Sequence, residues 1–341
     1  MKVSKYFRFI QTVLVITLVI GVVSIPALAQ EKKITIKVST HQPMGGIFHQ
    51  LLEKFKELVE KRSNGRVKVE VYPGAQLGQE VEAMEGVLMG TLNATTFSPS
   101  FLMDSIDGFG VDSLPGLFVG FEETTKMLND SPIGQEMAEK LLKKGGRILG
   151  WLNLAGRHMV FTKKDVKTLK DMEGLRMRSP EDGIRIATFR ALNTLPVPVT
   201  MGEVYTAFQA GLADGFDMVL SVLVDMKFYE VTKYVLLTDH SYGIQVFVMN
   251  EKFFQGLPKD VQQIVIQAGK EAMAFANQRV VQVEATAIKS LKEKGMVFHD
   301  FSKEERAKFN SAMRPVIEKW AIDHKSTDFI KRIQDYQSKR R

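Results

Sequence analysis

Arg176 and Arg178 alternate along Gly174-Leu175-Arg176-Met177-Arg178-Ser179-Pro180, a short β-type run that stops at Ser179-Pro180 before a helix-forming segment. In an open α/β sheet, ligands sit in the crevice beyond the carboxyl ends of the strands. Arg178 therefore stands where a guanidinium can meet an anion, and its planar fork can pair two-to-two with a carboxylate. Arg176 shares the strand face by period-two counting but lies deeper in the sheet, which makes it the weaker candidate. Either arginine could instead pair with Asp171, Glu173 or Glu181, so spacing alone leaves structural and ligand roles open. The chemistry on offer is anion capture.

Catalytic signatures point elsewhere. The chain has no HExxH, no GxSxG and no Walker-type phosphate loop. Gly108-Phe109-Gly110 lacks the third glycine and the preceding strand of a dinucleotide loop. The histidines at 41, 49, 158, 240, 299 and 324 show no pair at metal-ligand spacing on a helix. Zero cysteines exclude disulfides, thiolate nucleophiles and Cys-zinc sites. A secreted hydrolase using Asp217, Asp214 or Glu203 as acid and base is the enzyme alternative, and it lacks a nucleophile–base motif. No cofactor is implied.

The first 29 residues carry no acidic side chain; Lys2, Lys5 and Arg8 precede a largely apolar stretch from Phe9 to Ile25. Ala27-Leu28-Ala29 supplies small residues at the spacing signal peptidase reads, so residues 1–29 are expected to be a signal peptide cleaved before Gln30. A retained membrane anchor is the competing reading, since the apolar run approaches spanning length. Losing the three basic leader residues takes the formal charge from +7 to +4, too small and dispersed a surplus for nucleic acid.

The elements that must position Arg178 follow from periodicity. Ile34–Ser39 alternates as a strand, and Phe48, Leu51, Leu52, Phe55, Leu58 and Val59 then recur on one helical face. Val67, Val69 and Val71 form the next strand, and a second βα repeat runs through Gln79–Met89 and Leu92–Thr96. This alternation implies parallel α/β layers. Helices are expected at Glu122–Leu128 and Gly134–Lys143, and strands at Arg147–Leu152, His158–Thr162, Tyr234–Thr238 and Ile244–Asn250. Chain crossings between two domains are placed near Leu154-Ala155-Gly156 and His240–Gly243. Lys259–Lys294 has no proline and one glycine, Gly269, where it could kink; as one helix it would be roughly 54 Å long. Ser302 with Glu305 reads as a capping box.

The run Glu203-Val204-Tyr205-Thr206-Ala207-Phe208-Gln209-Ala210-Gly211, followed by Ala213-Asp214-Gly215 and Lys227-Phe228-Tyr229-Glu230-Val231, resembles the DctP-like solute-binding proteins of TRAP (tripartite ATP-independent periplasmic) transporters. The resemblance covers nearly the whole mature chain. It implies a two-domain, periplasmic-binding-protein-like α/β fold of type II, with a long helix spanning both domains. The divisions it suggests are 30–154 plus about 243–275 for the first domain, 155–242 plus about 276–325 for the second, and 326–341 for a C-terminal helix and tail. It also implies a periplasmic receptor that closes around a small organic carboxylate and hands it to TRAP permease subunits. An ABC transporter or a sensor kinase is the alternative recipient. A monomer is the default, and a homodimer through Asp328–Ser338 is the alternative.

By the same resemblance, Gly174–Pro180 matches the family pattern whose arginine grips the substrate carboxylate, and Arg157 matches a second arginine after the domain crossover. Met201 and Met218 fall at pocket positions. Asp217 falls where keto-acid binders carry a glutamate that helps hold a metal, a minority option here because Asp217 is one methylene shorter and Met218 replaces the tryptophan. In the first domain, His41, Glu80, Ser98 and Phe101 are implied to line the pocket. Phe97, Phe101, Met201 and Met218 together suggest an apolar body beside one charged end.

Overall fold

The computed structural model describes residues 33–118 and 120–339. The expected signal peptide lies outside the described residues. Strand β1 (Ile34–Ser39) feeds the helix Ile47–Arg62, whose Phe48, Leu51, Leu52, Phe55, Leu58 and Val59 are all buried, as the periodicity requires. Asn64 and Gly65 then turn the chain with positive φ into β2 (Val67–Tyr72), which pairs in parallel with β1. The helix Glu80–Met89 leads to β3 (Ala94–Phe97), parallel to β1 on its other side.

The sheets are mixed. Strand β4 (Gly146–Phe161) and β9 (Tyr242–Asn250) run antiparallel to each other, and β9 runs antiparallel to β3. Parallel pairing returns among β5 (Arg176–Ser179), β6 (Leu195–Pro198) and β7 (Gly215–Val219). It also joins β8 (Tyr234–Leu237) to β10 (Val297–Asp300).

Two strands with a crossing between them were expected over 147–162; the structure has one strand of 16 residues. Its first part, Gly146 to Gly156, pairs with β9, and its last part, Arg157 to Phe161, pairs with β7. The register slips between Asn153 and Gly156, where Ala155 has φ of 69°. The chain therefore changes sheets inside a strand through an irregularity. Asn277 supports this stretch, accepting from the Asn153 amide at 2.9 Å and donating to the Trp151 carbonyl at 3.0 Å.

Asn277 belongs to the helix Lys259–Glu293, which is 35 residues long and packs on the helix Ile47–Arg62, on β4 and on the short helix Leu220–Asp225. Its buried stripe is rich in small residues, including Ala268, Gly269, Ala272 and Ala276. Gly269 serves close approach: a Cβ there would lie 2.8 Å from the Leu149 Cβ.

The family-like segments meet as packing. Phe208, Phe216 and Phe228 stack edge-on, with centroids 4.9 and 5.3 Å apart. Ser302 caps the helix Lys303–Asp323 by accepting from the Glu305 amide, but the capping box is incomplete. Glu305 instead accepts from the Leu169 amide at 2.7 Å.

Candidate functional site

Strand ends and the turns after them converge on a cavity of about 300 Å³. Period-two alternation in β5 leaves Arg176 and Arg178 on one face with different fates. Arg176 pairs with Asp214 near the surface, through Nε at 3.0 Å and Nη2 at 2.7 Å. Arg178 lines the cavity and is 1% exposed. Its Nε donates to the Val199 carbonyl at 2.9 Å, and among the described residues it has no carboxylate partner. Burial first, then the neighbouring Arg185 and Arg157, push its pKa down to about 9 against the pull of Asp217 and Glu80. This is a buried guanidinium without a counter-ion among the described residues.

Eight of the sequence-derived residues share this cavity: Arg178, Arg157, Met218, Met201, Glu80, His41, Ser98 and Phe101. Phe97 does not; it is fully buried in a hydrophobic core cluster with Leu102, Phe109 and Val246. Asp217 is not on the cavity wall either. It precedes Met218 on β7, so alternation turns the two to opposite faces, and Asp217 faces a small cleft with Arg185, His240 and Ser241. Arg157 grips it, Nε to Oδ2 at 2.5 Å, with Nη2 donating to its backbone carbonyl at 2.7 Å. His240 approaches the same oxygen at 3.6 Å and Arg185 at 3.9 Å. Burial raises the Asp217 pKa, but the Arg157 and Arg185 charges and the hydrogen bonds from Arg157 and His240 outweigh it and hold the carboxyl well below the usual range. A carboxylate already flanked by two guanidiniums is a poor metal ligand, and the metal option at Asp217 is not supported. Among the described residues no cluster of three or more potential metal ligands occurs.

The opposite wall is polar and partly self-satisfied. Glu80 opens the helix Glu80–Met89; its Oε1 accepts from the Ser98 amide at 2.7 Å and from Gln245 Nε2 at 3.2 Å. His41 Nε2 lies 3.5 Å from Glu80 Oε2 and 2.9 Å from Gln42 Nε2. The Ser98 hydroxyl is engaged with Asp112 at 3.1 Å and Ser100 at 2.8 Å.

Among the cavity residues that the sequence reading did not single out are Arg185 and Gln245. Arg185 sits in the first turn of the helix Gly183–Ala191 and contacts Asp182, the residue that caps that helix, at 3.3 Å. Gln245 is the lone amide inside the apolar run Ile244–Met249, and that interruption was the available signal.

An α/β molecule whose cavity lies among strand ends of two sheets, with cationic side chains buried in its wall, has the build of a solute receptor. The chain matches the DctP model, described as bacterial extracellular solute-binding protein, family 7, over residues 38–323, and it belongs to that family of binding proteins, not enzymes. A solute-binding protein of Verminephrobacter eiseniae is 34% identical, with 84% of each chain covered. The C4-dicarboxylate-binding periplasmic protein DctP of Rhodobacter capsulatus is 31% identical over 87% of this chain and 89% of its own. The crystal structure of a TRAP periplasmic solute-binding protein from Bordetella bronchispeptica, with density assigned as pantoate, superposes with a TM-score of 0.83 at 30% identity, covering 89% of this chain and 99% of that one. The two-domain periplasmic-binding fold is shared with such structures. Among the described residues no helix is long and apolar enough to cross a membrane.

Proposed function

We propose that this protein is a periplasmic receptor, exported by its leader, that captures a small organic carboxylate and delivers it to TRAP permease subunits. The observation that carries the reading is Arg178, a buried guanidinium on the cavity wall whose Nη groups make no hydrogen bond to the described protein. A carboxylate would meet both Nη groups, and Arg157, held in orientation by Asp217, would support it. The relatives named for a C4-dicarboxylate and for pantoate support the ligand class.

Residues 30–154 with about 243–275 and residues 155–242 with about 276–325 are proposed as the two closing domains. The hinge would lie at the β4 irregularity and the β8–β9 link. These segments touch: a Cβ on Gly156 would fall 1.6 Å from Asp239 Oδ1. Closure would remove water from the ion pair and make it depend on the anion being present. Calorimetry against a carboxylate library is the test. Arg178→Ala is expected to weaken any authentic ligand by about 2 to 5 kcal/mol, the range for truncating one partner of a buried charge pair. Unchanged affinity would remove Arg178 from the site.

A further inference from the structure

We propose that the site selects a monocarboxylate carrying one hydrogen-bond donor and an apolar body, with Gln245 and Glu80 as the specificity residues; this rests on the solute-receptor reading above. The charge count comes first. Of the three guanidiniums in the wall, Arg157 is hydrogen-bonded to Asp217, and the Arg185 charge is matched by Asp182 at 3.3 Å and Asp217 at 3.9 Å, although its buried Nε has no hydrogen-bond partner among the described residues. Among the described residues, Arg178 alone of the three has no carboxylate partner. His41 faces Glu80, so a charge on the imidazole would be cancelled locally. The cavity therefore has one cation for one carboxylate. A second ligand carboxylate would meet either the Glu80 carboxylate or the apolar side formed by Phe101, Met201, Met218 and Val222.

The donor requirement comes from Gln245. An ionised carboxylate only accepts hydrogen bonds, so the contact with Glu80 fixes the Gln245 amide with its NH₂ toward Glu80. Its side-chain oxygen is then buried without a hydrogen-bond partner among the described residues. An unsatisfied buried acceptor is costly, and a ligand group that fills it is favoured over an isostere that cannot; because the oxygen is closed off from the cavity, a small rotation of the Gln245 side chain has to accompany that contact. A hydroxyl or an ammonium would serve, and Glu80 Oε2 offers a second acceptor beside it. A cavity of about 300 Å³ is at the small end for ligand sites, which suits a compact branched acid.

The test is calorimetry of the mature protein with acids on one carbon skeleton: 4-methylpentanoate, its 2-hydroxy and 2-amino derivatives, and 2-methylpentanedioate, the dicarboxylate with the same branched skeleton. At least one donor-bearing monocarboxylate should bind about tenfold or more tightly than both the unsubstituted acid and the dicarboxylate. The hydroxyl and amino arms tell which donor is taken. Gln245→Leu should erase the advantage of the donor-bearing acid over the unsubstituted one, read as the ratio of their affinities within the variant. Glu80→Gln should narrow the gap between dicarboxylate and monocarboxylate. Circular dichroism on each variant secures the fold, and Gln245→Met is the alternative should Leu not fold. A dicarboxylate bound as tightly as the monocarboxylates, or a donor advantage that survives Gln245→Leu, overturns the proposal. If that dicarboxylate binding also requires Arg178, the receptor reading stands without it. No binding of any of these acids, together with an empty carboxylate library, sinks both.

Discussion

Arg178 holds a position that is costly to the unliganded molecule and, on the proposed function, useful to the liganded one. A guanidinium removed from water without a counter-ion is a net penalty, and replacing buried charge with an apolar side chain of similar volume is often neutral or stabilising. Arg178→Met is therefore expected to raise the stability of the ligand-free protein, by about 1 kcal/mol or more, while abolishing the ligand-induced rise in melting temperature. Urea unfolding with and without ligand reads both effects. A variant that loses stability without ligand would show that the Val199 contact outweighs the burial cost. Arg157 is the opposite case: its partner Asp217 is already present, so its orientation is fixed before a ligand arrives. That difference could not be read from spacing, because Asp217 lies 60 residues away in the chain.

At the scale of elements, one contact ties the two proposed domains beside the cavity. The helix Ile47–Arg62 begins at Gly46, which has no side chain to cap it. Asp225, at the end of the short helix after β7, supplies the missing acceptor, taking the Ile47 N–H at 2.9 Å. A side chain on Gly46 would crowd it, since a Cβ would lie 2.9 Å from Asp225 Oδ2. Asp225→Ala is expected to cost about 1 kcal/mol, the usual value of a lost N-cap. If the cap helps hold the domains together, ligand release should also speed up in stopped-flow measurements; a stability loss with unchanged release would limit Asp225 to capping. Long periodic elements such as Ile34–Ser39, Ile47–Arg62 and Lys259–Glu293 were legible because each buries one regular face. The continuity of β4 was not, because Ala155 holds positive φ inside a strand whose backbone is rescued by Asn277 from another element. Gln245 was missed for a related reason, because Glu80, which orients its amide, is brought close only by the fold; Arg185 pairs with Asp182 three residues earlier, and only its approach to Asp217 depends on the fold.

Across the whole molecule, three titratable groups, the buried Asp112 and the partly buried Glu284 and His158, shape how stability should vary with pH. Burial pushes Asp112 up to about 7, with Asp182 adding to and Arg185 opposing the shift. Burial likewise pushes Glu284 on the long helix to about 7, although the Ser221 amide donates to it. Burial pulls His158 down to about 3, helped by His240, Arg157 and Arg306. The two carboxyls hold protons more tightly folded than unfolded. Their contribution is complete below the unfolded pKa values and is lost as pH rises through about 7. His158 works the other way, contributing above its unfolded value near 6.5 and losing that contribution as pH falls toward about 3. Above pH 6.5 the carboxyls dominate, so unfolding free energy is expected to fall by about 1 to 2 kcal/mol between pH 6.5 and 8. Asp112→Asn and Glu284→Gln should each flatten that slope, and the double variant should nearly remove it in urea titrations. Asp112 also receives the hydroxyl of Ser98 on the cavity wall, whereas Glu284 lies on the long helix. Ligand affinity should therefore follow pH through Asp112 and not through Glu284, and equal effects of the two variants on binding would break that link.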